Sequence, residues 1–333
     1  MAPRLNASTN GSDLVKEYAS HIRGKTVLVT GVSPGGLGAV FAETIATASP
    51  ALLILAGRNT SKVQQTASVI STSNPSVATR TLELDLGSLK NARRAAEEFN
   101  GWDDVRHIDV LVNNAGIMAV PYAKTEDGYE SQFATNHLGH FLFTNLIMDK
   151  ILAASAPRVI NLSSNGHRLG TIRWTDYNFK DGETYNQWTA YGQSKTANCL
   201  YSLALAEKLG SKGLLSFSLH PGVIWTNLGN HLEGDFEGLS KSRAHQKADS
   251  ILGTKYMWKG FDTKTPDQGI ATHVQTAFAP GLEATEFNGA YFDDCVVADQ
   301  KNEDVWPWAT NKIDAERLWK LSEKLVGQEF KFE

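Results

Sequence analysis

From residue 25 onward the chain alternates between two kinds of apolar pattern. Short runs rich in branched side chains lie at 26–30 (TVLVT), 52–56 (LLILA), 80–84 (RTLEL), 108–112 (IDVLV), 158–162 (RVINL) and 214–219 (LLSFSL). Runs of this length read as strands, and the most apolar of them as strands buried on both faces. Longer stretches at 36–49, 61–71, 127–154 and 191–209 read as helices, the second of them mostly polar. Such alternation requires parallel strands joined by crossover helices, which cover both faces of the sheet. Right-handed crossovers wind the sheet twice and leave a ligand crevice at the carboxyl ends of the strands. The predicted fold class is α/β, a single doubly wound parallel sheet with helices on both faces.

Two segments depart from this rhythm. Residues 1–23 form a polar extension with a short helix predicted at 13–22. Residues 229–265, rich in Gly, Ser, Lys and His, fit equally an inserted substrate lid and a solvated surface excursion. The remainder, 24–333, reads as one domain with insertions near 165–190 and 229–265.

Composition narrows the partners. A hydrophobic share of 41% and a charged share of 20% are ordinary for a soluble globular chain. A net charge of -4 gives no electrostatic reason to bind nucleic acid or an anionic membrane. Cys199 and Cys295 cannot build a disulfide framework and read as packing residues in a reducing compartment. The N-terminal stretch lacks a signal-peptide core, and the longest apolar run, 51–56, is far too short to cross a bilayer. A cytoplasmic protein is expected, in which the sequons at Asn6, Asn10 and Asn161 stay unmodified.

The first strand runs into Thr30-Gly-Val-Ser-Pro-Gly-Gly-Leu-Gly38, and a helix follows. Glycines at such a junction let the backbone approach a phosphate, and the helix N-terminus offers unpaired N–H groups to it. The strict G-x-G-x-x-G spacing is absent, so an ordinary strand–helix turn fits this loop as well. Strand two ends in Ala56-Gly57-Arg58-Asn59. An acidic residue there would hold the ribose hydroxyls of NAD, whereas Arg58 can pair with a 2′-phosphate, which favours NADP(H). Ser33 and Lys62 are placed to assist it.

Tyr191-Gly-Gln-Ser-Lys195 sets a phenol and an ammonium four residues apart, on one face of a helix. A free tyrosine titrates near ~10, and a neighbouring cation favours its phenolate, bringing proton exchange within reach. In isolation the spacing is common in helices. Here it closes an ordered series comprising the glycine turn, Asp85-Leu86, Asn113-Asn-Ala-Gly116, Asn136, Ser163-Ser164 and Pro221-Gly222.

That series resembles the short-chain dehydrogenase/reductase family over residues 24–228. Thr135-Asn-His-Leu-Gly-His-Phe141 and His220-Pro-Gly222 further resemble its retinol-dehydrogenase-like and protochlorophyllide-reductase-like branches, which use NADP(H). The resemblance implies a Rossmann-like sheet and assigns roles. Gly31, Gly36, Leu37 and Gly38 would form the phosphate turn, although four residues rather than the usual three separate Gly31 from Gly36-Leu37-Gly38. Asp85 and Leu86 would lie near the adenine, and Asn113, Ala115 and Gly116 along the cofactor wall. Asn136 would hold a water linking Lys195 to solvent. Ser164 would bind the substrate oxygen, Tyr191 would exchange its proton, and Lys195 would also grip the nicotinamide ribose. Pro221 and Gly222 would border the nicotinamide, and Thr226 would meet its carboxamide.

The expected activity is NADP(H)-dependent interconversion of a carbonyl and an alcohol on a small molecule. Trp225, Tyr256 and Trp258 hint at an apolar or aromatic substrate, though core packing explains them equally. Trp174, Tyr177, Phe179 and Trp188 could wall the pocket, but aromatic clusters are more often packing. Two other readings compete. Gly31-Val-Ser33-Pro-Gly35 matches the G-x-S-x-G nucleophile elbow of hydrolases, yet it follows the first strand with little sheet upstream. A non-catalytic NADP(H) sensor would have no need of Ser164, Tyr191 and Lys195. His137 and His140 share a helical face without the Glu of a zinc-protease motif, so no metal site is expected.

Overall fold

The buried branched runs become strands where their composition predicts them. The computed structural model describes residues 5–229, 262–283, 285–302 and 304–332. β1 (Thr26–Thr30), β2 (Leu52–Gly57), β3 (Ala78–Glu83), β4 (Val110–Asn113), β5 (Arg158–Leu162) and β6 (Leu215–Leu219) agree with the reading within a few residues. Two further strands, β7 (Tyr291–Asp293) and β8 (Val296–Val297), were not anticipated. All eight stand in one sheet of order β3-β2-β1-β4-β5-β6-β7-β8, parallel except for the β7–β8 pair. The order reverses between β1 and β4, which opens a crevice at their carboxyl ends.

Alternation along β1 divides the core. Leu28 faces a layer built by α5 (Leu89–Asn100), α7 (Gly139–Leu146), α9 (Gln187–Leu209) and α11 (Lys312–Val326). Val27 and Val29 face the opposite layer, made by α1 (Gly11–Glu17), α3 (Leu37–Ala46), α4 (Thr60–Ser73) and α10 (Pro266–Phe278). Both layers bury large aromatics, Phe99 and Phe141 on one side and Phe41 and Phe217 on the other.

The helix expected over 13–22 is divided at Tyr18, where α1 gives way to α2 (Ala19–Ile22). This polar extension packs onto the sheet layer through α10. Ser12 donates from its backbone N and its hydroxyl to Asp267 at 2.8 and 2.7 Å, and the Tyr18 hydroxyl donates to Gln275 at 2.7 Å. The helix expected over 127–154 is broken more deeply. α6 (Ser131–Phe133) passes into a π-helical turn, Ala134–Leu138, before α7 and α8 (Met148–Leu152) complete the span. Single π turns inside helices commonly mark functional sites.

Most of the 229–265 insertion, with Tyr256 and Trp258, lies outside the described residues. Its two ends are held. Val223 pairs with Thr263, and the Asn227 side chain donates to the Pro34 carbonyl at 2.9 Å, bridging to the glycine-rich turn. Among the described residues no helix is long and apolar enough to cross a membrane.

Candidate active site

The crevice at the β1/β4 reversal is a cavity of about 790 Å³, running from Arg58 and Lys62 past the glycine-rich turn to Ser164, Tyr191 and Lys195. At its first end, close packing dictates the turn. Gly31 has φ +75, and a Cβ on it would fall 2.7 Å from Ala115 Cα. A Cβ on Gly38 would fall 2.5 Å from Asn114 Nδ2 and 2.7 Å from the Gly31 carbonyl oxygen. The Asn114 amide in turn donates to the Thr30 and Gly31 carbonyls at 2.8 and 3.2 Å. No side chain caps α3 at Gly36, and with the Ala39 and Val40 N–H groups given to the Gly36 carbonyl at 3.1 Å, those of Leu37 and Gly38 remain for an anion. A cradle that any added side chain would fill, closed by an uncapped helix, fits the pyrophosphate of a dinucleotide. Ser33, Arg58 and Lys62 share the adjoining wall, and Asp85 and Leu86 line the next stretch.

At the other end α9 sets the geometry. Asn186 caps it by accepting from the backbone N of Trp188 and Thr189, both at 3.0 Å, so that Tyr191 and Lys195 stack one turn apart. Both are 5% exposed. The Lys195 ammonium lies 5.5 Å from the Tyr191 ring centroid and donates to the Leu162 carbonyl at 3.0 Å. The Ser164 hydroxyl accepts from Gly166 N at 2.9 Å and hydrogen-bonds the Tyr191 phenol. Ser163 serves the scaffold: its hydroxyl donates to the Lys195 carbonyl at 2.8 Å and accepts from Cys199 at 3.1 Å.

Burial governs both titrating groups. It pushes the Tyr191 phenol up to about 12 against the opposing hydrogen bond from Ser164. It pulls the Lys195 ammonium down to about 8, with Cys199 acting the other way. Tyr191 is therefore a phenol at neutral pH, and Lys195 holds a proton that it can give up.

Ala115, Gly116, Pro221, Gly222 and Thr226 also lie on the cavity wall. Three expected residues do not. Gly38 faces Asn114, as its close packing requires. Asn113 turns into the core, donating to Thr144 at 3.0 Å and Asn161 at 2.9 Å, because strand alternation aims it at α7 and β5. Asn136 is fully buried and braces the loop behind Lys195. Its amide oxygen accepts from Ile117 N at 2.8 Å, and its amide nitrogen donates to Ile117 O and Ser194 Oγ at 2.9 Å. Of the four candidate aromatics only Trp188 reaches the wall; Phe179 is core, and Trp174 and Tyr177 pack against it. Trp225 is 59% exposed and off the wall.

Asn114, Gly166 and His220 line the cavity without having been singled out. The doubled asparagine and the HPG triplet were visible signals for two of them. Gly166 had none, since its role depends on a ring that arrives from another element. Among the described residues no group of three or more His, Cys, Asp or Glu could hold a metal.

Comparison with known proteins places the chain in a family. Residues 25–178 match the family model described as short chain dehydrogenase. Human retinol dehydrogenase 11 is 35% identical over 306 residues, covering 91% of this chain and 86% of that one. Human retinol dehydrogenase 13 is 37% identical over 335 residues, covering 98% and 94%. Among solved structures, an uncharacterized protein from Mycobacterium paratuberculosis superposes with a TM-score of 0.66 at 30% identity, covering 94% of this chain and 98% of that one. An NADPH-bound carbonyl reductase from chicken fatty liver shares the fold at 18% identity, with a TM-score of 0.56 and coverage of 82% and 97%. With relatives aligned along nearly its whole length and a serine, tyrosine and lysine gathered beside the glycine turn, this chain belongs to the short-chain dehydrogenase family, in its retinol-dehydrogenase-like branch.

Proposed function

We propose that the protein is an NADP(H)-dependent reductase of a ketone or aldehyde on an apolar or aromatic small molecule. The observation that carries the reading is the meeting of Ser164, Tyr191 and Lys195 in a buried pocket where Tyr191 rests as a phenol. A reductase needs its proton donor loaded before turnover, and burial keeps it loaded. Ser164 holds the carbonyl oxygen and steadies its developing negative charge. Tyr191 gives that oxygen its proton, and the Lys195 ammonium offsets the resulting phenolate and returns a proton to it. The dinucleotide, when bound, supplies the hydride.

The preference for a 2′-phosphate rests on Arg58, supported by Lys62 and Ser33 on the same wall. Met118, Leu169, Trp188 and Ile224 line the cavity and suit an apolar substrate, in keeping with relatives named for retinol. Cys199 and Cys295, free and buried, suit a reducing cytoplasmic setting.

The test is a panel of ketones and aldehydes followed at the NADPH absorbance and repeated with NADH. Tyr191→Phe should bind NADPH normally and lose at least ~10³-fold in turnover. Near-wild-type rates in that variant would remove Tyr191 from the mechanism. Tight NADPH binding without turnover across the panel would favour a sensor.

A further inference from the structure

His140, on α7, is 2% exposed and reaches two distant parts of the fold. Its Nδ1 lies 3.1 Å from the Asn136 main-chain oxygen, and its Nε2 lies 2.9 Å from Thr30 Oγ1. The Thr30 hydroxyl also accepts the backbone N–H groups of Asn114 and Ala115, both at 3.0 Å. A hydroxyl has two acceptor positions and one proton to give. Both acceptor positions are taken, so the Thr30 proton must go to Nε2. That nitrogen is therefore bare, and the ring proton sits on Nδ1, where it donates to Asn136 O. The partners select one neutral tautomer. Burial keeps the ring uncharged, pulling its pKa down to about 4 against the Asn136 bond, and the nearby Lys195 charge acts in the same direction as burial.

The bond ends on the residue that braces Lys195. Asn136 belongs to the π-helical turn, and its side chain grips Ile117 by both backbone groups. A Cβ on the adjacent Gly116 would lie 3.1 Å from Asn136 Oδ1 and 3.6 Å from Lys195 Nζ, so these groups are in close register. With its side chain committed, the Asn136 main-chain oxygen is the part still able to take a second hydrogen bond, and His140 fixes where that oxygen points.

We propose that His140 is a positioning residue for proton return: as an Nδ1–H donor it ties the Asn136 carbonyl, and the Ile117–Gly116 brace beside Lys195, to the end of β1. In each turnover the Tyr191 O–H bond breaks toward the substrate oxygen, a Lys195 N–H bond breaks toward the phenolate, and the Lys195 amine recovers its proton from solvent. His140 sets the geometry of the last transfer without changing its own protonation. The inference rests on the reductase reading.

Two measurements test it. Nitrogen-15 NMR of histidine-labelled protein, assigned by the signal lost in His140→Gln, should show a neutral Nδ1–H ring from pH 8 to 5. An Nε2–H ring, or protonation near 6.5, would overturn the proposal whatever the enzyme catalyses. In kinetics, His140→Leu should lose about tenfold in kcat with KM and NADPH affinity within about twofold. Its solvent deuterium isotope effect on kcat should rise above the wild-type value. His140→Gln, whose amide supplies one donor and one acceptor, should recover most of the loss. Should His140→Leu fail to fold, Thr30→Val removes the proton given to Nε2 and should raise the isotope effect likewise. An unchanged isotope effect in the folded variant rejects the inference while wild-type turnover leaves the reductase reading standing; a wild type without turnover rejects the reading itself.

Discussion

Gly166 owes its place to a neighbour from another element. An added Cβ would sit 2.6 Å from Tyr191 Cε1, and the Gly166 N–H is already given to Ser164. Gly166→Ala must displace either the ring or the serine, so kcat should fall at least about tenfold. NADPH binding, made chiefly at the far end of the cavity, should hold. Steady-state rates beside a fluorescence titration separate the two effects, and an unchanged kcat would contradict this packing. At that far end Arg58→Glu replaces the residue proposed to meet the 2′-phosphate with a like charge. The loss of a charge-assisted hydrogen bond, about 2–3 kcal/mol, should weaken NADPH by roughly 30–150-fold. NADH should bind no worse, because a carboxylate there can take the ribose hydroxyls, and an unaltered preference between the two would remove Arg58 from the phosphate site. Tyr191, Lys195, Ser164 and Arg58 were legible because each has a fixed offset from a strand or helix end. Gly166 was not, and Trp188 could not be told apart from Trp174, Tyr177 and Phe179, because what they touch is decided by tertiary packing. Asn113 and Asn114 illustrate the limit: adjacent, identical in type, and aimed into different surroundings by strand geometry.

α11 covers α9 with a single large anchor. Trp319 packs edge-on against Phe141 at 5.1 Å and lies 6.1 Å from Tyr201, with the Lys208 ammonium 5.0 Å above its ring. Ser322, one turn on, meets His137 Nε2 at 2.7 Å. Trp319→Ala should destabilise the protein by about 3–5 kcal/mol, as truncation of a buried aromatic does. Denaturant unfolding measures this, and a loss below about 1 kcal/mol would show that α11 is loosely held. The element pattern was readable wherever apolar periodicity ran long enough. β7 and β8 span three and two residues, too few to show a period. The break after Phe133 was hidden for a different reason: residues 127–154 keep helical apolar spacing straight through the π turn.

Five histidines, His137, His140, His167, His220 and His273, are buried, and burial lowers each of them to about 3 or 4. In the unfolded chain they titrate near 6.5. A depressed folded value means that the unfolded state binds more protons below that pH. The stability these residues contribute is complete above about 6.5 and is lost as pH falls toward 4, by up to about 1.4 kcal/mol per histidine per pH unit. Thermal midpoints should fall steeply between pH 6.5 and 5, with several protons taken up on unfolding. A midpoint flat across that range would show that these rings are reached by water in the folded state.

The β6–β7 ladder has a consequence for the order in which the molecule can be made. Ser218 N donates to Ala290 O at 3.1 Å and His220 N to Phe292 O at 2.9 Å, so the turn bearing Pro221 and Gly222 leans on a strand encoded some seventy positions later. A nascent chain emerging from the ribosome can pair its first six strands while β6 still exposes an unsatisfied edge. The elements that carry Ser164, Tyr191 and Lys195 are then assembled before the turn bearing Pro221 and Gly222 is braced. During translation the three reacting side chains should come together before the last stretch of wall beside them is fixed in place.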